Sequence, residues 1–497
     1  MINIPKVRIG IVAVSRDCFP RELSQKRRDA VLESVRKHGG LESRVFSADT
    51  IVENELDVIK ALEELKDADV NALVVYLGNF GPEGPETLLA QRFAPNPVMF
   101  AAAAEESGDD LYNGRGDAYC GMLNASYNIG LRGLNVHIPE YPVATADGIV
   151  RMIAEFEPIA RISIGVKNLK IFAFGPRPYD FLACNAPIKP LYDLGVEIQE
   201  NSELDLFAFF NEHKDDVRAS DIKMEMEKEL GAGNKHPGVL DRLARYELTL
   251  MDWAQKNKGA SQYYIFANKC WPAFQTQFGF VPCYVNSRLA TRGVPVSCET
   301  DIYGALSEYI VALATKSPPT LLDINNTVPD DILEANRNEF REYKNTDLFM
   351  GFHCGNTPAC HLADLEMKYQ LIMKRALEPE GEPDITRGTL EGTIKSGKVT
   401  VFRLQSTADA QLKSYVAEGE ILNVSPKSFG GIGIFAVPEM GRFYRHVLIA
   451  KRFPHHTGVG FKHVGKALFA AMKLFGIKDV AFNQPAGMLY QDENPFI

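Results

Sequence analysis

The sequence predicts an α/β fold: two doubly wound parallel α/β domains followed by a C-terminal antiparallel, β-barrel-like domain. Three observations predict it. Short apolar runs alternate with helix-patterned segments over the first 165 residues, and the alternation restarts at Lys167–Gly175. After about residue 356 the texture changes to short β-like runs punctuated by glycine. Strands alternating with helices imply right-handed βαβ units and a parallel sheet. Short runs at close spacing imply antiparallel strands or a small barrel. The expected domains are 1–165, 166–355 and 356–497, which agrees with about one domain per roughly 150 residues.

In the first domain Val7–Ser15 has the apolar character of a strand, and Pro20–His38 has helical spacing. Helix-like segments 54–67 and 85–93 flank the strand Ala72–Gly78, and Asn135–Ile138 and Gly148–Arg161 continue the rhythm. The second domain opens on the strand KNLKIFAFG, and 213–230 mixes charges in the manner of a solvated amphipathic helix. Further on, Val294–Cys298 is a short strand ending at Glu299, and 301–315 is helical. Thr320–Leu322 starts a strand ending at Asp323, and Pro329–Lys344 is a helix with proline in its first turn. Leu348–Phe352 is a third strand, ending at His353. In the third domain GTLEGTI, KVTVFRLQ, EGEILNV, GIGIFAV and YRHVLIA are β-like, Phe429–Ile434 holds a bulge or tight turn, and Gly465–Phe475 is helical.

Composition narrows the function classes. Hydrophobic residues make up 45% and charged residues 24%, which is ordinary globular usage. A net charge of −10 carries no basic footprint, so neither nucleic acid nor an anionic membrane surface is an expected partner. The eight cysteines are scattered without a CxxC pair, which reads as reduced thiols. The N-terminal stretch lacks the apolar core and small-residue cleavage site of a signal peptide, and no run is long enough to span a bilayer. A cytoplasmic enzyme is expected.

The chemistry concentrates between 294 and 356. Three βα units in series would carry Glu299, Asp323 and His353 to the carboxyl edge of a parallel sheet, where ligands bind. Two carboxylates with no Lys or Arg in their local segments repel unless protonated or metal-bound. Oxygen ligands with one imidazole suit Mn²⁺ or Mg²⁺ better than a closed zinc site. The plain alternative is that Glu299 caps the helix starting at 301 and Asp323 caps the turn before Pro329. Further imidazoles stand at His455, His456 and His463. Trp271, Gln275 and Gln277 supply an aromatic and amides suited to sugar hydroxyls, and Arg16 and Arg21 follow the first strand. No GxSxG elbow, Walker A loop or GxGxxG after a strand is present.

The sequence resembles the L-fucose isomerase and L-arabinose isomerase superfamily. The likeness rests on Cys298-Glu299-Thr300-Asp301, on Leu322-Asp323 with 24 residues from Glu299 to Asp323, and on FPHHTGVGFKHVGKAL at 453–468. The resemblance implies that Glu299, Asp323 and His456 bind a metal, usually Mn²⁺ with Mg²⁺ or Co²⁺ as substitutes, and that the two carboxylates are the acid–base pair. His353, Gln275, Trp271 and Arg16 are the expected substrate contacts, His353 and Arg16 through the likeness, Gln275 and Trp271 through their residue type. Arg16 is among them because in relatives the N-terminal domain of a neighbouring subunit reaches the pocket. A homo-oligomer, trimer or hexamer, with active sites at subunit interfaces follows from the same likeness. The implied activity is aldose–ketose isomerisation of a pentose or hexose through a cis-enediol. The alternatives are an isomerase of a 6-sulfonated aldose (sulfoquinovose to sulfofructose), a non-catalytic sugar-binding or sensing protein, and a metal-dependent aldolase or hydrolase.

Overall fold

The apolar runs at the start of the chain become the buried strands of a five-stranded parallel sheet. Its strands are β1 (Ile9–Val14), β2 (Val45–Ser47), β3 (Ala72–Leu77), β4 (Val98–Ala103) and β5 (Val143–Ala144), in the order β2-β1-β3-β4-β5. Every residue of β1, β3 and β4 is buried, as in a parallel sheet covered by helices on both faces. Those helices are α1 (Arg21–Lys37), α2 (Glu55–Asp67), α3 (Glu83–Phe93), α4 (Ala118–Leu131) and α5 (Ala146–Lys167). Asn54 starts α2 as its N-cap, accepting from the N–H groups of Leu56 and Asp57. Asn135–Ile138 forms only an isolated bridge, His137 to Met99, instead of a strand.

The computed structural model describes all residues except Gly39, Asp110, Asn113 and Ile497. The chain divides into one unit of Pro5–Ile164 with Phe469–Gly476, and another of Met1–Ile4, Gly165–Leu468 and Ile477–Ile497. Among the described residues no helix is long and apolar enough to cross a membrane.

The larger unit contains two sheets. One is parallel, ordered β7-β6-β8-β9, from β6 (Leu169–Gly175), β7 (Glu197–Ser202), β8 (Tyr263–Asn268) and β9 (Val296–Ser297). Its helices are α6 (Lys189–Asp193), α7 (Glu203–Glu212), α8 (Arg218–Leu230), α9 (Leu240–Asn257), α10 (Cys283–Thr291) and α11 (Ile302–Thr315). The charge-dense α8 buries little beyond Met226 and Leu230, as its pattern predicts. By contrast, all fourteen residues of α11 are buried. A helix with one charged side chain among fourteen residues, Glu308, must be enclosed, and α11 is: it packs on β8 and, from the second sheet, on the strands β10, β14 and β17 described next.

That second sheet has nine strands: β10 (Thr320–Asn326), β11 (Leu348–His353), β12 (Leu362–Tyr369), β13 (Arg387–Ile394), β14 (Gly397–Ser406), β15 (Leu412–Leu422), β16 (Gly431–Ala436), β17 (His456–Gly460) and β18 (Asp479–Phe482). The order is β12-β13-β16-β11-β10-β17-β14-β15-β18, and β15 also pairs with β16. Six antiparallel strands, β16-β11-β10-β17-β14-β15, therefore pair in a closed ring. The pairs β13–β16 and β15–β18 are parallel. The antiparallel expectation is thus corrected to a mixed sheet.

The same sheet corrects the series of three parallel βα units. β10 and β11 pair antiparallel with each other and belong with the C-terminal strands, not with β9. The residue 355/356 division falls between β11 and β12, two strands of this one sheet. A short apolar run is the same signal in a parallel strand and in a strand covered on both faces, and partners from residues 431–460 lie beyond any local pattern. The segment between β10 and β11 is two short helices, α12 (Asp330–Ala335) and α13 (Arg337–Phe340), instead of one. YRHVLIA is helical and not a strand, and Gly431–Ile434, expected in a bulge, lies inside β16.

Candidate active site

Glu299 leaves β9 with a left-handed backbone (φ 53°), followed by Thr300 at φ 56°. Two successive non-glycine residues there cost about 1–3 kcal/mol each, and such strain persists only where the surroundings over-determine it. They do so here. Thr300 donates through its N–H to Asn268 O (3.2 Å) and through Oγ1 to Phe174 O (3.3 Å), and Asp301 N–H donates to Cys298 O (3.0 Å). The turn ends at Asp301, whose Oδ1 accepts from Gly304 N–H (2.8 Å) and starts α11. Asp301, not Glu299, is therefore the cap.

Asp323 lies in mid-strand on β10, in register with His456 on β17 and Phe352 on β11. Directly opposed residues on neighbouring strands put their side chains side by side on one face. Asp323 is therefore delivered to the site by an antiparallel ladder and caps no turn. His353 ends β11 and is buried.

These elements converge on one imidazole. Nε2 of the buried His456 lies 3.6 Å from Glu299 Oε2 and 3.5 Å from Asp323 Oδ1. Both oxygens are buried and have no hydrogen-bond partner. On the other side of the ring, Nδ1 is 2.8 Å from Asp301 Oδ2, and Cys184 Sγ lies 3.5 Å away. An ionised carboxylate only accepts, so Nδ1 carries the donated proton. Asp301 is in turn held by both terminal nitrogens of Arg403 (2.6 and 2.8 Å), and Gln405 Oε1 accepts from Arg403 Nε and Nη2 (3.1 and 2.7 Å). Arg403 and Asp301 are fully buried.

Burial dominates the electrostatics. It pushes the carboxyl of Asp323 up to about 7, with the charge of Glu299 adding and His456 opposing. Glu299 is raised for the same first reason. Burial acts against ionisation of Asp301 as well, yet the Arg403 guanidinium and His456 hold it well below the ordinary range. His353 is kept neutral by burial and by the neighbouring His456 and His455.

The donor set fits a divalent cation. Two orphaned buried oxygens face a ring nitrogen whose partner nitrogen already donates to Asp301. Against the cost of burial, Asp301 and Cys184 raise the imidazole well above its ordinary value, so without a cation a proton fills the place between them. An acceptor triad in low dielectric is costly unless a proton or a cation occupies it. Ligand atoms of Glu299, His353 and His456, and of Asp323, His455 and His456, lie within 4.8 Å of one another in each group.

The remaining candidates distribute as follows. Trp271 donates through Nε1 to Glu299 Oε1 (3.2 Å), and its ring meets Tyr179 edge to face. Gln275 is fully buried, with Nε2 donating to Gln370 Oε1 (3.1 Å) and Cys270 O (3.3 Å). Gln277 is exposed. His455 Nε2 is 3.7 Å from Asp323 Oδ1, whereas His463 donates to Gly419 O (2.9 Å) and is not in these ligand groups. Arg16 belongs to the other unit, where it lies 3.5 Å from Glu83 Oε1 and over the Phe80 ring. Sequence reasoning missed the roles of Asp301, Arg403, Cys184 and Phe181, whose ring stands against both His455 and His456. Arg403 did leave a signal: an arginine inside the apolar run KVTVFRLQ needs a partner.

A parallel and a mixed sheet thus gather two carboxyls and an imidazole at one place. The chain belongs to the fucose isomerase family: residues 10–167 match the fucose/sulfoquinovose isomerase N-terminal domain and residues 351–482 the L-fucose isomerase C-terminal domain. Its similar relatives include the sulfoquinovose isomerase of Alkalicoccus urumqiensis, 27% identical over 326 residues, which is 63% of this chain and 64% of that protein. The sulfoquinovose isomerase of Clostridium sp. (strain MSTE9) is 25% identical over 297 residues, covering 59% of this chain and 60% of its own length. That of Priestia aryabhattai is 26% identical over 276 residues, covering 54% of each. The chain thus aligns with less than two thirds of the length of each of these relatives. His353, Arg403 and His456 fall inside the C-terminal domain match, and Glu299 and Asp323 fall between the two matches.

Proposed function

We propose that this chain is a metal-dependent aldose–ketose isomerase acting on a monosaccharide. The observation that carries the reading is the pair of orphaned, buried carboxylate oxygens facing His456 Nε2. Glu299, Asp323 and His456 would hold the cation, Mn²⁺ in this reading, with Mg²⁺ or Co²⁺ as substitutes. When bound, it would supply Lewis-acid polarisation of the sugar's carbonyl and hydroxyl oxygens.

The chain's own groups account for the proton movements. Isomerisation takes a proton from C2 of the aldose and returns one to C1, through a cis-enediol, while a hydroxyl proton moves between O2 and O1. Glu299 and Asp323 are the acid–base pair in this reading, being the two buried carboxyls that converge on His456 Nε2. His353 is a substrate contact in this reading. Its Nδ1 accepts from the Cys354 N–H (2.9 Å), so the neutral ring keeps its proton on Nε2, free to donate to a sugar oxygen. Trp271 sets the orientation of Glu299 and offers a ring face to the sugar, and Gln275 braces that loop through Gln370.

The relatives' names favour the 6-sulfonated sugar, sulfoquinovose to sulfofructose, over a neutral pentose or hexose. Arg16 is retained as a contact supplied by a neighbouring copy, because it follows β1 at the carboxyl edge of its sheet. Self-association is supported by α4, which carries no charged residue and exposes Tyr119, Leu123, Tyr127 and Leu131 one turn apart. The eight free cysteines support a reducing, cytoplasmic setting.

The test is a screen of aldoses, sulfoquinovose included, with added Mn²⁺ and with chelator, scoring ketose and deuterium taken up from D₂O at C1 or C2. Ketose formation that chelator abolishes, with solvent deuterium incorporated, is expected. Metal-independent sugar binding without turnover would establish the sensor instead, and cleavage without solvent exchange the aldolase or hydrolase.

A further inference from the structure

Behind the proposed ligand His456 the structure holds a second layer that no part of the isomerase reading uses. The Asp301 carboxylate accepts four hydrogen bonds: Oδ1 from Gly304 N–H and Arg403 Nη2 (both 2.8 Å), and Oδ2 from Arg403 Nη1 (2.6 Å) and His456 Nδ1 (2.8 Å). Arg403 is one of the largest fully buried side chains. Its Nε and Nη2 also donate to Gln405, two residues along the same strand. Three elements distant in sequence therefore meet at His456: β14, the first turn of α11, and β17.

A buried ion pair is a poor device for stability alone, since well-packed apolar side chains of similar volume are often equally stabilising. What an apolar pair cannot do is choose a tautomer. If the proton of a neutral His456 sat on Nε2, it would satisfy Glu299 Oε2 and Asp323 Oδ1 and close the centre to a cation. With Asp301 on Nδ1, Nε2 presents a lone pair to the same two oxygens. The two-pronged grip of Arg403 keeps the Asp301 carboxylate from swinging, and α11 anchors it through the cap. Outer partners of this kind typically change metal affinity about 10–100-fold.

We infer that Asp301 and Arg403 are positioning residues that fix the tautomer and the direction of His456 and thereby set the affinity of this centre for a divalent cation. The inference rests on Glu299, Asp323 and His456 being the ligands.

The experiment titrates Mn²⁺ into the metal-free full-length protein and follows the free ion by electron paramagnetic resonance, with Co²⁺ absorption as the report on ligand geometry. Asp301→Asn keeps an oxygen for the Gly304 cap and is expected to weaken Mn²⁺ binding by about 10–100-fold. Its Co²⁺ bands should shift. Arg403→Lys, which retains charge but not the two-pronged grip, should lie between Asp301→Asn and the unsubstituted protein. Ile310→Val, in the core of the same helix, controls for loss of stability and should bind Mn²⁺ unchanged. Asp301→Asn and Arg403→Lys both binding within twofold of the unsubstituted protein would overturn the inference, as would an equal loss in Ile310→Val. If Asp301→Asn fails to fold, Arg403→Lys decides by the same criterion. Absence of Mn²⁺ binding to the unsubstituted protein, or unchanged binding in His456→Ala, would instead remove the ligand assignment on which it rests.

Discussion

Each unit of this chain buries carboxyl oxygens without partners, and the two cases differ in one respect. In the parallel-sheet unit Glu86 is fully buried on α3, with neither oxygen hydrogen-bonded. Burial, reinforced by Glu83 and opposed by Arg16, lifts it to about 8. No imidazole faces it in any of the candidate metal-holding groups among the described residues. In the larger unit Glu299 Oε2 and Asp323 Oδ1 are equally orphaned, but they aim at one ring nitrogen whose other side is already bound. Burial alone yields a neutral acid. Burial with converging, oriented acceptors yields a place for a cation.

The largest expected effect breaks the second case. Glu299→Gln or Asp323→Asn should lower turnover about 10²–10⁴-fold while far-UV circular dichroism stays unchanged, since each removes one half of the proposed acid–base pair. Near-full activity in either variant removes that residue from the centre. Next in size is the response to metal. Mn²⁺ at about 100 times its Kd should stabilise the folded protein by about 2.7 kcal/mol, read as a rise in Tm, and Glu299→Gln should abolish most of the rise. The same ion should leave the Tm response of Glu86→Gln intact.

Glu86 sharpens the comparison through pH. Its carboxyl has an ordinary value of 4.5 and sits at about 8 in the fold. Between those values the folded state binds more protons than the unfolded one, so this group's contribution is fully present below 4.5 and declines as pH rises through 8. Glu86→Gln, an isostere of the protonated acid, should flatten that decline in urea titrations at pH 5 and pH 8 and raise stability at the higher pH by about 1–3 kcal/mol. An unchanged pH profile would mean that Glu86 has a partner after all. The smallest effect concerns the exposed stripe of α4. Leu123→Lys should reduce self-association in sedimentation velocity and leave monomer stability within about 0.5 kcal/mol, as for a surface substitution.

Much of the first sheet was legible because its signals are local. Val7–Ser15 and Ala72–Gly78 are continuous apolar runs, and a strand buried on both faces has no other way to look. Glu299, Asp323 and the late histidine pair were also legible as residue types out of place in apolar surroundings. The route that unites them was not. Asp323 appeared to close a parallel strand, whereas β11 and β17 flank it in an antiparallel ladder, and its partner on β17, His456, lies more than a hundred positions away. Arg403 could be flagged as an odd cation in a strand, but its partner Asp301, 102 residues away, left no local trace.

The sequence by itself determined the alternating α/β start, the change of texture after residue 356, the acid pair and the candidate imidazoles, because periodicity and burial preference act over a few residues. Only the tertiary structure decided that α11 is enclosed between two sheets, that six strands pair in a ring, and which nitrogen of His456 faces the acids. Register and tautomer depend on pairing energies summed between distant segments, and a linear pattern does not carry them.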